Sequence, residues 1–345
     1  MQLTVNSRVA ILLQGGIKGD RGKTGLAFLR YSQTNIVAVI DSETAGQSFQ
    51  ELTKIEQSVP IVRDTASALV YQPDILLIGI APSGGQLPFE LQAEVAIAVE
   101  AGLSIINGLH TPLKPQFDYL QPGQQIWDLR QEPGDLTIGK GKAQSLTAQR
   151  ILTVGTDMAI GKMSTSLELH RAAVNQGIKA QFVATGQAGI AISGQGIPLD
   201  AVRVDFAAGA VEKTVLELGK GQDLVIIEGQ GSLLHPGSTA TLPLIRGSQP
   251  TGLVLVHRAG AKQIRDLPDF LIPPLSEVIQ LYETVASAGG IGTVKVKAIA
   301  LNTFGLDLAA AEAVIKSTEE LTGLLCSDVV RFGGATILPA IYEQK

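Results

Sequence analysis

The stretch ILTVGTDMAIGKMSTSLEL, residues 151–169, decides how the rest of the 345-residue chain is read. Its apolar start, 151–154, predicts a buried strand. Gly155, Gly161 and Lys162 then fall in a loop, and 164–173 is built of helix formers. Strand, glycine loop and helix is the order that presents unpaired backbone N–H groups and the positive end of a helix dipole to a phosphate. Gly161 lets the backbone approach the anion, and Lys162 supplies a mobile cation to its outer oxygens.

The general P-loop pattern, glycine, four residues, then Gly-Lys-[Ser/Thr], is met only in part. Thr156 takes the place of the first glycine, with Gly155 one step earlier, and Met163 takes the place of the hydroxyl. The spacing resembles the loop of dethiobiotin synthetases, matched here by Gly155-Thr156-Asp157 and Gly161-Lys162. The residue after the lysine ordinarily places a hydroxyl on Mg²⁺, and a thioether is a poor ligand for that hard cation. Ser164 and Thr165 carry the next hydroxyls, each rotated by about 100° along the helix.

Glycine is abundant, aromatics are scarce and Val, Ile, Leu and Ala dominate, the composition of α/β proteins whose parallel strands are buried on both faces. The length allows two domains. No apolar run reaches the roughly 18 residues of a membrane span, and the N-terminus lacks the pattern of a secretory signal. The single cysteine, Cys326, excludes an internal disulfide framework and a multi-cysteine metal site, and its apolar surroundings make it a small core residue. A cytoplasmic protein is therefore expected. A net charge of −5 without a basic cluster argues against nucleic acid and anionic membranes as partners, and the four histidines show no zinc-binding spacing.

Apolar runs at 9–13, 36–40, 74–80 and 104–107 predict the strands of an N-terminal Rossmann-like parallel sheet over 1–110. Lys18, Arg21 and Lys23 lie in the loop after the first of them, and Asp41 ends the second, where a Rossmann domain places its acidic ribose ligand and where a turn former also belongs. Residues 111–148, broken by prolines and glycines, read as a connector. Trp127 and Arg130 are its distinctive members, and Trp127 is expected to pack a domain junction. Over 149–345 the P-loop strand is followed by strands at 180–184, 223–227, 253–257 and 298–301, with a helix at 308–321 and a last segment closing the sheet. Glycine clusters at Gly186-Gln187 and at Glu228-Gly229-Gln230-Gly231 sit at strand ends. An acidic residue such as Glu228 at that tip is where P-loop proteins hold Mg²⁺ or its water, and it is equally a turn carboxylate.

With those residues in view, nearly the whole chain resembles the D-glutamate N-acetyltransferase-like family, long catalogued as a domain of unknown function with N- and C-terminal parts. The resemblance rests on Asp41-Ser42 with Ala45-Gly46 and on GIAPSGGQLP at 79–88. It rests further on Gly155-Thr156-Asp157 with Gly161-Lys162-Met163, on Ala184-Thr185-Gly186-Gln187 and on Glu228-Gly229-Gln230-Gly231-Ser232-Leu233. It implies acetylation of the amine of D-glutamate or a similar small anionic amino acid, with acetyl-CoA or ATP as the phosphate-bearing cofactor and Mg²⁺ as a candidate metal, while the glycine loops at strand ends in both halves predict a small anionic metabolite bound between the two domains. Cofactor contacts are then expected from Gly155, Thr156, Asp157, Gly161, Lys162, Met163, Ser164 and Asn302. In dethiobiotin synthetase-like folds an asparagine at the place of Asn302 touches adenine. Lys18, Arg21, Lys23, Arg130, Gly186 and Gln187 are expected to meet the substrate, Asp205, Glu228 and His235 to offer the base, and Glu228 to hold any metal. A homo-oligomer is the expected assembly. Two alternatives from other classes stand beside this one, an ATP-dependent ligase of dethiobiotin synthetase type and a nucleotide-binding switch without metabolite chemistry.

Overall fold

The computed structural model describes all residues except Gln2, Ser83, Gly84, 289–291, 344 and 345, and except the side chain of Asp20. Ser83 and Gly84 of the 79–88 motif thus lie outside the described residues. The chain is α/β and divides into two compact units, one made of residues 1–132 and 187–201, the other of 133–186 and 202–345.

The first unit holds six strands, β1 (Arg8–Leu12), β2 (Asn35–Ile40), β3 (Ile61–Val62), β4 (Ile75–Ile78), β5 (Ser104–Asn107) and β6 (Ile126–Asp128). They form one parallel sheet in the order 3-2-1-4-5-6, the order of dinucleotide-binding sheets, which reverses direction between β1 and β4. Val9 to Leu12 and Ile75 to Ile78 are buried, so after Arg8 at the start of β1 these strands are continuous apolar runs that do not alternate. Helix Lys23–Tyr31 approaches the end of β4 so closely that a Cβ on Gly79 would lie 2.9 Å from the Gly25 Cα, and the Gly25 N–H donates to the Gly79 carbonyl at 2.8 Å. Glycine is needed at both positions for packing.

The stretch 111–148 divides between structures. Its β6 completes the first sheet beside β5, with Trp127 half-buried opposite Ile106, while residues 133–148 belong to the second unit. There the buried Glu212 carboxylate accepts from the backbone N–H groups of Lys140 (3.1 Å) and Lys142 (2.6 Å). Residues 187–201, which follow the P-loop's second strand in sequence, carry helix Gln187–Ser193 onto helix Lys23–Tyr31 of the first unit.

The second unit contains β7 (Gln149–Gly155), β8 (Ala180–Val183), β9 (Leu224–Ile227), β10 (Gly252–Arg258), β13 (Val296–Asn302) and β14 (Cys326–Ser327) in one parallel sheet, ordered 14-13-10-7-9-8. Between β10 and β13 in sequence, β11 (Gln263–Ile264) and β12 (Leu267–Leu271) form a separate antiparallel hairpin. β7 is central, flanked by β10 and β9, and β9 is fully buried. Each such aliphatic side chain contributes roughly 1.5–3 kcal/mol by leaving water. The C-terminal segment adds only β14 to the sheet edge. The rest of it, Val329–Phe332 through Leu338–Ile341, packs on helix Lys162–Asn175, where Ile337, Leu338 and Ile341 join the core. Cys326 is buried in β14, as its apolar surroundings imply.

Candidate functional site

The loop between β7 and helix Lys162–Asn175 has the backbone its glycines predict. Gly161 stands at φ 115°, open to glycine and strained for any other residue, and Ala159 is held at φ 53°. The helix begins at Lys162, two residues earlier than the sequence pattern implies, and no side chain caps its N-terminus. The N–H groups of Lys162, Met163 and Ser164 are first-turn donors that a helix cannot satisfy itself. A cradle with these donors and a cation beside it fits a phosphate.

Lys162 is buried, and its ammonium donates to the Asp157 carbonyl at 2.7 Å. Burial pushes its pKa down to about 8, against the opposing pull of the Asp157 and Glu228 carboxylates. Asp157 is buried too. Its Oδ1 accepts from the Met158 N–H at 2.6 Å and its Oδ2 from the Arg265 N–H at 2.8 Å, which ties the β11–β12 hairpin to the loop. Thr156 shares a hydrogen bond of 2.9 Å with His257 Nδ1, and burial depresses that imidazole to about 4. Asn302 braces the loop from β13, its Nδ2 donating to the Ile160 carbonyl at 2.8 Å while its Oδ1 accepts from the Phe304 N–H at 2.9 Å.

On the β9 side, Glu228 is buried, and its Oε2 accepts from the Thr185 N–H at 2.9 Å and the Gly186 N–H at 3.3 Å. This carboxylate therefore orients the 185–186 backbone. Gly229 lies so close to β7 that a Cβ there would sit 1.7 Å from the Thr153 carbonyl oxygen and 3.1 Å from Lys162 Cδ. Tyr282 of helix Leu275–Ser287, which the sequence reading did not single out, joins the two loops. Its buried hydroxyl donates to the Gly155 carbonyl at 2.7 Å and accepts from the Leu233 N–H at 3.1 Å.

Two cavities open from this framework. One, of about 640 Å³, lies between helices Val204–Gly219 and Thr241–Ser248 and the loop after β9. Asp205 and Arg246 line it with the hydroxyls of Ser232, Ser238, Thr239 and Thr241. His235 does not belong to that lining, and its Nδ1 accepts from the Gly237 N–H at 3.0 Å within the same loop. The other, of about 270 Å³, lies on the β10 side, bounded by residues 156–160 of the loop and by Arg258, Gln263 and Arg265. Arg246, Arg258 and Arg265 were not marked by sequence spacing. Only Arg258 carried a signal, as a cation ending a parallel strand at the sheet's carboxyl edge.

In the first unit, Lys18, Arg21 and Lys23 are exposed around the loop after β1, and the Arg21 carbonyl accepts from the Ala81 N–H at 2.6 Å beside the point where the sheet order reverses. Arg130 follows β6 at the sheet's edge, three strands from β1, and pairs with Asp200 at 3.2 Å. Burial lowers its pKa, opposed by Asp200. Gln187 packs over Gly108 after β5, while Gly186 belongs to the second unit. Asp41 is a turn former, since its two oxygens accept from the Gly15 N–H (3.0 Å) and the Thr44 hydroxyl (2.5 Å). No group of three metal-ligating side chains and no helix long and apolar enough to cross a membrane occurs among the described residues.

Comparison with known proteins bears on the same two halves. Residues 42–132 match the Rossmann-like N-terminal domain of unknown function DUF1611_N, and residues 137–338 match the DUF1611 C-terminal P-loop domain. A D-glutamate N-acetyltransferase of Tritonibacter scottomollicae is 35% identical over 271 residues, 77% of this chain and 80% of that protein. One from a Pseudoalteromonas species is 35% identical over 268 residues, 76% and 79% of the two chains. The crystal structure of a DUF1611 family protein from Anabaena variabilis superposes with a TM-score of 0.93 at 59% identity, over 97% of this chain and 99% of that one. A Rossmann-like half and a P-loop half, both matched, place the chain in the DUF1611 family.

Proposed function

We propose that the protein transfers an acetyl group from acetyl-CoA to the amine of D-glutamate or a closely similar acidic amino acid. The observation that carries the reading is the cavity of about 640 Å³ in which a carboxylate, Asp205, and a guanidinium, Arg246, stand among hydroxyls one loop away from the phosphate cradle. An acidic amino acid presents an ammonium and carboxylates, the charges that pair addresses. The D-glutamate N-acetyltransferases related at 35% identity support the same substrate class.

Acetyl-CoA supplies the acyl group as a thioester. In this reading the first-turn N–H groups of helix Lys162–Asn175 and Lys162 hold its pyrophosphate. Arg246 anchors a carboxylate of the acceptor, and Asp205 takes the proton that the ammonium must lose before its nitrogen can attack the thioester carbon. The new C–N bond forms as the C–S bond breaks, and the second proton, shed by the acylated nitrogen, goes to the sulfur, which leaves as the coenzyme's thiol. Glu228 and Tyr282 act as positioning residues, fixing the 185–186 backbone and the loops at Gly155 and Leu233. Met163 leaves the loop without a hard-cation ligand at the position after the lysine, so the reading places no step on Mg²⁺.

The test is mass spectrometry of purified protein incubated with acetyl-CoA and D-glutamate, with L-glutamate and Mg²⁺-ATP as separate arms. N-acetylglutamate formed from the D-isomer, with Asp205→Asn and Arg246→Ala raising KM or lowering kcat, is the expected result. Hydrolysis of ATP without acyl transfer would overturn the reading in favour of a ligase or a nucleotide switch.

A further inference from the structure

Coenzyme A carries phosphate in two places, the pyrophosphate and a monoester on the ribose 3′ oxygen, whereas ATP and dephospho-CoA have no phosphate on that 3′ oxygen. The position of β7 gives this difference a structural meaning. The phosphate loop leaves the central strand, with β9 on one side and β10 then β13 on the other. Glu228 and the acceptor cavity belong to the β9 side. A thioester directed there leaves the nucleoside end of the same molecule on the β10 side.

That side holds the second cavity, about 270 Å³, with residues 156–160 of the phosphate loop as one wall. Its other wall carries two guanidinium groups. Arg258 ends β10 in register with Asn302, and its side chain has no hydrogen bond or ion pair among the described residues. Arg265 is placed by its backbone, whose N–H donates to the buried Asp157 at 2.8 Å, and among the described residues its side chain reaches only the exposed Asp266 at 3.6 Å. Such a solvent-screened pair holds its cation weakly. The acidic member of the lining, Asp157, has each oxygen accepting a backbone N–H, from Met158 and Arg265. Gln263 adds an amide. Two forked guanidiniums lining a cavity that the phosphate loop itself walls form a receptor for a phosphate monoester.

We propose that this cavity binds the ribose 3′-phosphate of coenzyme A, and that Arg258 and Arg265 make the protein select coenzyme A over dephospho-CoA and ATP. The proposal rests on the reading that the loop carries acetyl-CoA. Calorimetric titration of the full chain with CoA, dephospho-CoA and Mg²⁺-ATP separates the two. CoA should bind at least tenfold more tightly than dephospho-CoA. The Arg258→Ala/Arg265→Ala variant should lose that margin while holding dephospho-CoA within twofold of the wild type, and Lys162→Ala should weaken both ligands together. Equal affinity of the wild type for CoA and dephospho-CoA would overturn the 3′-phosphate site and leave the coenzyme at the loop. Binding of neither would overturn the site and the reading beneath it. Should the double variant fail to fold, the wild-type comparison decides alone.

Discussion

Lys162→Met removes a cation that the fold holds against its own stability. The ammonium is buried, and despite Asp157 and Glu228 its pKa falls from 10.5 to about 8. A depression of that size corresponds to about 3 kcal/mol of destabilisation wherever the lysine is charged in both states. Losing the charge-assisted bond from Nζ to the Asp157 carbonyl offsets at least about 1.5 kcal/mol of this, so the variant should be more stable than the wild type by up to about 1.5 kcal/mol at pH 7. Between pH 8 and 10.5 the unfolded chain keeps a proton that the folded chain has released. Wild-type stability relative to the variant therefore rises with pH across that window, and the gap narrows as the pH approaches 10.5. Urea unfolding of both proteins at pH 7, 8, 9 and 10, followed by far-ultraviolet circular dichroism, measures the gap, and the difference cancels titrations common to both. The same variant should lose roughly 1.5–3 kcal/mol of affinity for acetyl-CoA, the worth of a charge-assisted contact. A methionine variant less stable than the wild type at pH 7, or a gap that does not change with pH, would refute the reasoning.

Three further outcomes follow from the same framework. Tyr282→Phe leaves the Gly155 carbonyl and the Leu233 N–H without their shared partner, and urea unfolding should show a loss of about 1–3 kcal/mol together with weaker anion binding; an unchanged midpoint would remove the hydroxyl's role. Gly229→Ala forces a methyl to 1.7 Å from the Thr153 carbonyl oxygen, so its thermal midpoint should fall well below that of the wild type, and a folded variant of native stability would show that the loop after β9 can move away from β7. Burial, with Glu319 and Asp328, pushes the Cys326 thiol up to about 12, so Ellman's reagent at pH 8 should find no reactive thiol in the native protein and one per chain in guanidinium.

The long parallel strands and the phosphate loop were legible because each is a local signal. An uninterrupted apolar run such as DLVIIEG at 223–229 admits few structures other than a buried strand, and glycine before Lys162 marks a backbone conformation. Ile126–Asp128 was not legible as a strand, because three residues flanked by polar loops carry no periodicity. Its Asp128 is held by the Leu113 and Lys114 N–H groups and by Asn107, all partners distant in sequence. The assignment of 187–201 to the first unit is likewise a matter of long-range packing. Its glycines and prolines read equally well as backbone near a ligand. Asn302 and Glu228 were both found by their strand ends, yet the geometry shows what the ends could not, that each side chain holds other backbone in place. Arg246 and Tyr282 sit inside ordinary helical patterns, where a cation or an aromatic side chain has no local mark of its partner.

The excursion of residues 187–201 has a consequence for biosynthesis. The chain crosses between the units at 132–133, 186–187 and 201–202. When β1 to β6 have left the ribosome, the helix Gln187–Ser193 that covers helix Lys23–Tyr31 has not yet been made. By the time it emerges, β7 and β8 are out as well, but β9 and β10, the two neighbours that β7 needs, are still to come. Domains ordinarily fold one after another as the chain lengthens. Here the first sheet has all its strands but lacks its covering helix while the second is half-built, and a gene cut at 132 leaves the N-terminal fragment without the 187–201 part of its unit. A C-terminal fragment starting at 133 carries Ile190, Ala191, Ile197 and Leu199 without the unit in which they are buried, so expressing the P-loop half alone requires joining 186 to 202 through a short linker.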